Sequence, residues 1–367
     1  MPSVPDRVLG LIEASGLSRH AFALRIGLDD SKLSKSISGA RRFSSLDLAR
    51  IAELCQVTVD WLITGEEPPL AVAARTTGGS AGAALDAAKR YSTLRTDMAS
   101  LGYPQPWQPR TRGLVTGGYV VQGRQLAQEA LGRVAQAGRS IADGNLLILT
   151  EEVFGADVAV VELGAGFDGL AVSSDDVKLI LLATSQIPAR QRFTLAHELG
   201  HLLAGDDHEV HLDRDVFDKA QAKDPSELRA NAFASAFLMP EGVLHEAVGL
   251  TGLTDAAFAE LACELMVTPS ALAYRLLHLR LIDAGTCERY RVITTAKAAS
   301  MVGRGEEFAQ RVTEASTARP PGLLVRDTYA AYESGTATLR PYANLLGVDV
   351  DDLRRALESE RGTHDTS

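Results

Sequence analysis

The segment RFTLAHELGHLLAGD, residues 192–206, constrains this chain more than any other. Phe193, Leu195, Ala196, Leu199, Leu202 and Leu203 make it apolar around most of its circumference, which is the signature of a helix buried on several sides. Such a helix must still accommodate His197, Glu198 and His201. Residues four apart lie on one helical face, so both imidazoles can converge on a single tetrahedral Zn²⁺. Glu198, beside the first of them, is placed as a general base toward water at that metal.

A working zinc site needs a third protein ligand and an open fourth position. Asp207 lies ten residues after His197, but the glycine that would turn the chain toward the metal is Ala204, with Gly205 one place late. His208 and His211 lie in the polar run DDHEVH. Glu227 is the better candidate. Pro225 and Ser226 start a helix in PSELRANAFASAFLMP, and Ala230, Phe233, Ala234, Phe237 and Leu238 form an apolar stripe that can pack on the histidine helix. Closed coordination through Asp207, His208 or His211 would instead give a structural or sensory metal.

The chain has 367 residues, 46% hydrophobic and 23% charged, too long for one ordinary core and too apolar to be disordered. No apolar run is long enough for a membrane span, and the N-terminus lacks a signal-peptide pattern, so a cytoplasmic protein is expected. Cys55, Cys263 and Cys287 are too scattered for a disulfide framework. The net charge of −10 argues against non-specific coating of nucleic acid. Residues 1–65, however, hold eight Lys+Arg against seven Asp+Glu, so any DNA contact is expected from that end.

That end predicts five short helices. One runs from Pro5 to Ala14, Ser18 caps HAFALRIG, Asp29 or Asp30 caps SKLSKSIS, Ser44 or Ser45 opens LDLARIAELC, and VDWLITG closes the unit. With SRHAFALRIGLDDSKLSKSISGARRFSSLDLARIAELCQVTVDWLITG, nearly all of residues 5–65 resembles the XRE (lambda repressor/Cro-like) helix-turn-helix domain. The resemblance implies a recognition helix in LDDSKLSKSIS, with Asp30, Ser31, Lys32, Ser34 and Lys35 near bases or phosphates and Arg41 and Arg42 clamping the backbone. It also implies an operator as partner and a possible homodimer.

Beyond residue 65 the sequence suggests a linker carrying one helix (66–118). A helix from Tyr119 and three strand-like runs, DVAVVEL, DGLAVS and VKLILLA, follow, and helical signals then dominate from Pro188 to Asp283. RQRFTLAHELGHLLAGD with ELRANAFASAFLMP is similar to the ImmA/IrrE zinc metallopeptidases, and LTDAAFAELACELMVTPSALAYRLLHLRLID to that family's following helices. The resemblance implies His197, His201 and Glu227 as zinc ligands, Glu198 as general base, and a repressor-like XRE-type protein as substrate, whose cleavage derepresses phage, mobile-element or stress genes. The expected architecture is multidomain. An all-α helix-turn-helix domain (1–65) precedes an α+β zincin-like peptidase domain with a small sheet (119–250), a helical segment (251–285) and a helical C-terminal region of unknown role (286–367). PYANLLGVDVDDL near the C-terminus echoes IAELCQVTVDWL.

Overall fold

The computed structural model describes residues 3–15, 17–55, 62, 81–110, 113–142, 144–162, 168–206, 211–213, 224–249 and 252–364. It divides into two compact units, Met1–Gly79 and Ser80–Ser367.

In the first unit, helices α1 (Val4–Ala14), α2 (Arg19–Arg25), α3 (Asp30–Ile37) and α4 (Ser45–Cys55) follow the caps predicted for them. The Ser18 side chain accepts from the Ala21 amide and Asp29 from that of Lys32, satisfying donors that a helix start leaves open. Ser44, not Ser45, opens α4. Its hydroxyl accepts from the Asp47 amide at 3.2 Å while Asp47 accepts from the Ser44 amide at 2.9 Å, a reciprocal capping box. Val8, Ile12, Phe22, Ile26, Leu33, Ile51 and Leu62 form the core, each side chain contributing about 1.5–3 kcal/mol on burial. Helices this short hold only through that shared core. Of the expected closing helix, only Leu62 lies among the described residues.

The second unit contains helix α5 (Ala81–Ser100), helix α6 (Tyr119–Gln136) and a short helix α7 (Leu146–Leu149) continued by a π-turn over Thr150–Phe154. A sheet follows, with strands β1 (Asp157–Val161), β2 (Gly169–Ser173) and β3 (Lys178–Ala183). Helix α8 (Pro188–Ala204), strand β4 (His211–Asp213) and helix α9 (Pro225–Leu238) complete the site region. The sheet order is β1-β3-β2-β4, with β1 parallel to β3 and β2 antiparallel to both neighbours. β1 and β3 are buried along almost their whole length, which is why their sequences run continuously apolar instead of alternating. β4 interrupts the stretch expected to be helical, its three residues pairing antiparallel with Gly169–Ala171 of β2. Helices then fill the remainder, from Glu241–Val248 through Val350–His364.

The expected linker extends too far. Residues 80–118 belong to the second unit, because Arg95 of α5 is fully buried and bonds Asp157 of β1 and Asp327 of the helix Gly322–Glu333. The C-terminal region is tied to the same sheet. Arg319 and Val160 exchange two backbone bonds of 2.8 Å, covering the outer edge of β1, and the Arg319 guanidinium reaches Glu151 at 2.5 Å. Among the described residues, no single helix is long and apolar enough to cross a membrane.

Candidate metal centre

Pro188 starts α8 and Gly205, in left-handed conformation at φ 72°, ends it. Between them the helix packs on β2, β3 and α9, leaving His197, Glu198 and His201 without exposed surface. Gly200, inside the histidine motif, has a packing reason. A Cβ there would meet the Phe233 ring at 2.9 Å, so the glycine lets α9 approach α8 closely. The Asp224 side chain caps α9 by accepting from Ser226, which places Glu227 in its first turn as expected from the sequence.

Three of the four predicted site residues meet there. His197 Nε2 and His201 Nε2 are 3.1 Å apart, and each lies 3.2 Å from a different oxygen of Glu227. Tetrahedral coordination with bonds of about 2.0–2.1 Å places ligand atoms about 3.3 Å from one another, so the set has the spacing of a metal cradle. Two imidazole nitrogens and a carboxylate are also the donor types zinc accepts.

The charge balance favours a cation. Burial pushes the Glu227 carboxyl upward, but hydrogen bonds from His197 and His201 and their positive charge outweigh this and hold it below the ordinary carboxylate range. Burial likewise opposes charging of His201, yet Asp206, Glu227 and Glu198 raise its pKa. Without positive charge between the histidines, the carboxylates around them would be buried uncompensated.

Glu198 lies one residue from the first histidine with its side chain toward β2. A Cβ on Gly169 would stand 3.1 Å from Glu198 Oε1 and 2.5 Å from Thr194 Cγ2, so only glycine leaves room for the carboxylate here. Asp207 and His208 lie outside the described residues, and of His211 only the backbone, in β4, is described.

Two residues beside the metal set were not foreseen. Asp206 Oδ2 lies 3.4 Å from His201 Nδ1, and Arg229 is ion-paired to the other Asp206 oxygen. Asp206 directly follows the glycine that ends α8, a faint local sign of it, and Arg229 has none.

In the first unit, Asp30, Lys32 and Lys35 lie on α3 and are exposed, as are Ser31, Ser34 and Arg42. Asp30 is 2.8 Å from His20, and Lys32 is 3.1 Å from Asp29. Arg41 turns inward. It donates to Ser36 at 2.9 Å and pairs with Asp47 at 2.8 Å, so a phosphate contact there would compete with the capping box.

Comparison with known proteins bears on part of the second unit. Residues 154–277 match the Peptidase M78 model, the IrrE N-terminal-like domain. The radiation response metalloprotease IrrE of Deinococcus radiodurans is 40% identical over 99 residues, covering 27% of this chain and 30% of that protein. Its namesake from Deinococcus deserti is 37% identical over 99 residues, covering 26% and 35%. The chain spans about a third of the length of these curated relatives. Residues 154–277 therefore carry a metallopeptidase-type domain. Such a domain implies a divalent metal, for which His197, His201 and Glu227 form the buried donor set.

Proposed function

We propose that this chain is a DNA-binding regulator with a zinc-dependent endopeptidase unit that cleaves an XRE-type, repressor-like protein, derepressing phage, mobile-element or stress genes. The observation that carries the peptidase reading is the convergence of His197, His201 and Glu227, whose ligand atoms all lie within 4.8 Å, beside Glu198 on the same buried helix. The similarity to metalloproteases named for radiation response supports a regulatory protease.

His197, His201 and Glu227 would hold the metal. Bound there, Zn²⁺ supplies Lewis acidity toward the scissile carbonyl and toward water. Glu198 takes a proton from the attacking water and delivers it to the departing amine nitrogen. Complete burial of the carboxylate strengthens that exchange by excluding bulk water. In the first unit, α3 would enter the major groove, with Lys35 and Arg42 supplying exposed positive charge.

The decisive experiment incubates the zinc-loaded chain with candidate XRE-type repressors, comparing wild type with Glu198→Gln. Wild type should cleave, while the variant keeps about one zinc and cleaves at least ~10²-fold more slowly, the scale of a lost general base. Equal cleavage by both proteins would remove Glu198 from the mechanism. Zinc and operator binding with no cleavage by wild type would favour a non-catalytic regulator whose metal is structural or sensory.

A further inference from the structure

We propose that Asp206 and Arg229 are positioning residues that set the metal affinity of the site by holding His201, an inference that rests on the metal-site reading above. The Gly205 and Asp206 amides both donate to the His201 carbonyl, at 3.1 and 3.3 Å, so the chain folds back over the last helical turn. That turn brings Asp206 to the side of His201 opposite the metal set, with Oδ2 3.4 Å from Nδ1. An imidazole donating Nδ1–H to a carboxylate presents its Nε2 lone pair outward, here toward His197 and Glu227.

Asp206 is itself held. Arg229 Nη2 takes its other oxygen, while Arg229 Nη1 donates to Gln122 Oε1 at 3.0 Å and the guanidinium lies 5.7 Å from the Tyr119 ring centre. The side chains of Asp206 and Arg229 are only 11% and 9% exposed. A buried ion pair is a poor source of net stability, since desolvation offsets most of its attraction. Its value here is orientation, because it leaves one Asp206 oxygen for His201 and fixes where that oxygen points.

The anchoring residues come from the start of α6, which lies outside the 154–277 match. Gly123 allows this contact. A Cβ there would lie 2.3 Å from the Arg229 carbonyl, so α6 rests directly on the α9 backbone at the level of the pair. The segment before the sheet is thus part of the metal site's support.

The test measures Zn²⁺ affinity of the full chain by competition with a chromophoric chelator, together with the visible spectrum of the Co²⁺-loaded form. Wild type, His197→Ala, Asp206→Ala, Asp206→Asn and Arg229→Met are compared, with the thermal midpoint of each metal-free protein as the folding control. Asp206→Ala should weaken Zn²⁺ binding about 10–100-fold and shift the Co²⁺ bands, Arg229→Met about tenfold. Asp206→Asn, which keeps an oxygen acceptor without the charge, should fall between wild type and alanine. If Asp206→Ala does not fold, Asp206→Asn and Arg229→Met decide. Unchanged affinity and spectrum in those variants, while His197→Ala loses the metal, would overturn the inference and leave the metal site standing. A wild type that binds no metal would overturn the metal-site reading and this inference with it.

Discussion

Replacing Arg95 by Leu should destabilise the second unit more than any surface change. The guanidinium is fully buried and donates to Asp157 at 2.7 and 2.9 Å and to Asp327 at 2.7 Å. Leucine fills part of the space but leaves buried Asp157 without a cation and Asp327 with only the exposed Arg326. Breaking a buried pair in this way costs about 3–5 kcal/mol. Asp157 keeps a bond from Gln105 at 3.1 Å and Asp327 one from Arg326 at 2.8 Å, so we expect the lower part of that range, about 3–4 kcal/mol. For a unit of roughly 290 residues, this corresponds to a fall in Tm of about 5–7 °C. Urea unfolding followed by circular dichroism measures the loss directly. Changing Asp157 and Asp327 to Leu together with Arg95 should recover most of it, because the uncompensated charges disappear. The deficit of the single variant should also shrink as pH falls, since burial pushes the Asp157 carboxyl upward and Arg95, the main influence opposing its protonation, is gone. A loss below about 1 kcal/mol would refute the reasoning, because it would mean the triad is solvated or easily rearranged.

Further outcomes can be checked alongside. Gly169→Ala places a methyl 2.5 Å from Thr194 Cγ2 and 3.1 Å from Glu198 Oε1; overpacking should cost about 1–3 kcal/mol in thermal unfolding, and displacing Glu198 by ~1 Å should slow cleavage roughly 10²-fold. Burial raises the Asp47 carboxyl, but bonds from Ser44 and Arg41 outweigh it, so its folded pKa lies below its unfolded one. That contribution to the first unit is therefore present at neutral pH and lost as pH falls below about 4; Asp47→Asn should remove about 1 kcal/mol and flatten this limb of the stability–pH curve. Lys35→Ala and Arg42→Ala should each weaken operator binding and lower the slope of log K against log salt by about one, read by fluorescence anisotropy. An unchanged slope for both would place the DNA contact elsewhere.

Much of the candidate site was legible because its chemistry is local in sequence. His197, Glu198 and His201 share one helical turn, and Glu227 follows a helix start recognisable from Pro225. The caps at Ser18, Asp29 and Ser44 are equally local, each being a side chain within three residues of the amide it serves. Arg229 and Asp206 were not legible, since nothing near either of them in the chain indicates that they pair across 23 residues beside a histidine. Arg41 was read for its charge alone, whereas the fold brings Asp47 beside it.

Sequence by itself determined the approximate extents of the first unit's four described helices, the buried character of β1 and β3, and the residue types able to hold a metal. These follow from periodicity, capping and ligand chemistry, which act over a few residues. Only the tertiary structure decided that residues 80–118 and the C-terminal helices belong with the sheet, that a strand follows α8, and that Asp206 stands behind His201. Those outcomes rest on charges and edges that must find partners when water is excluded. Arg95 finds one partner 62 residues away and another 232 away, a distance over which local propensity carries no information.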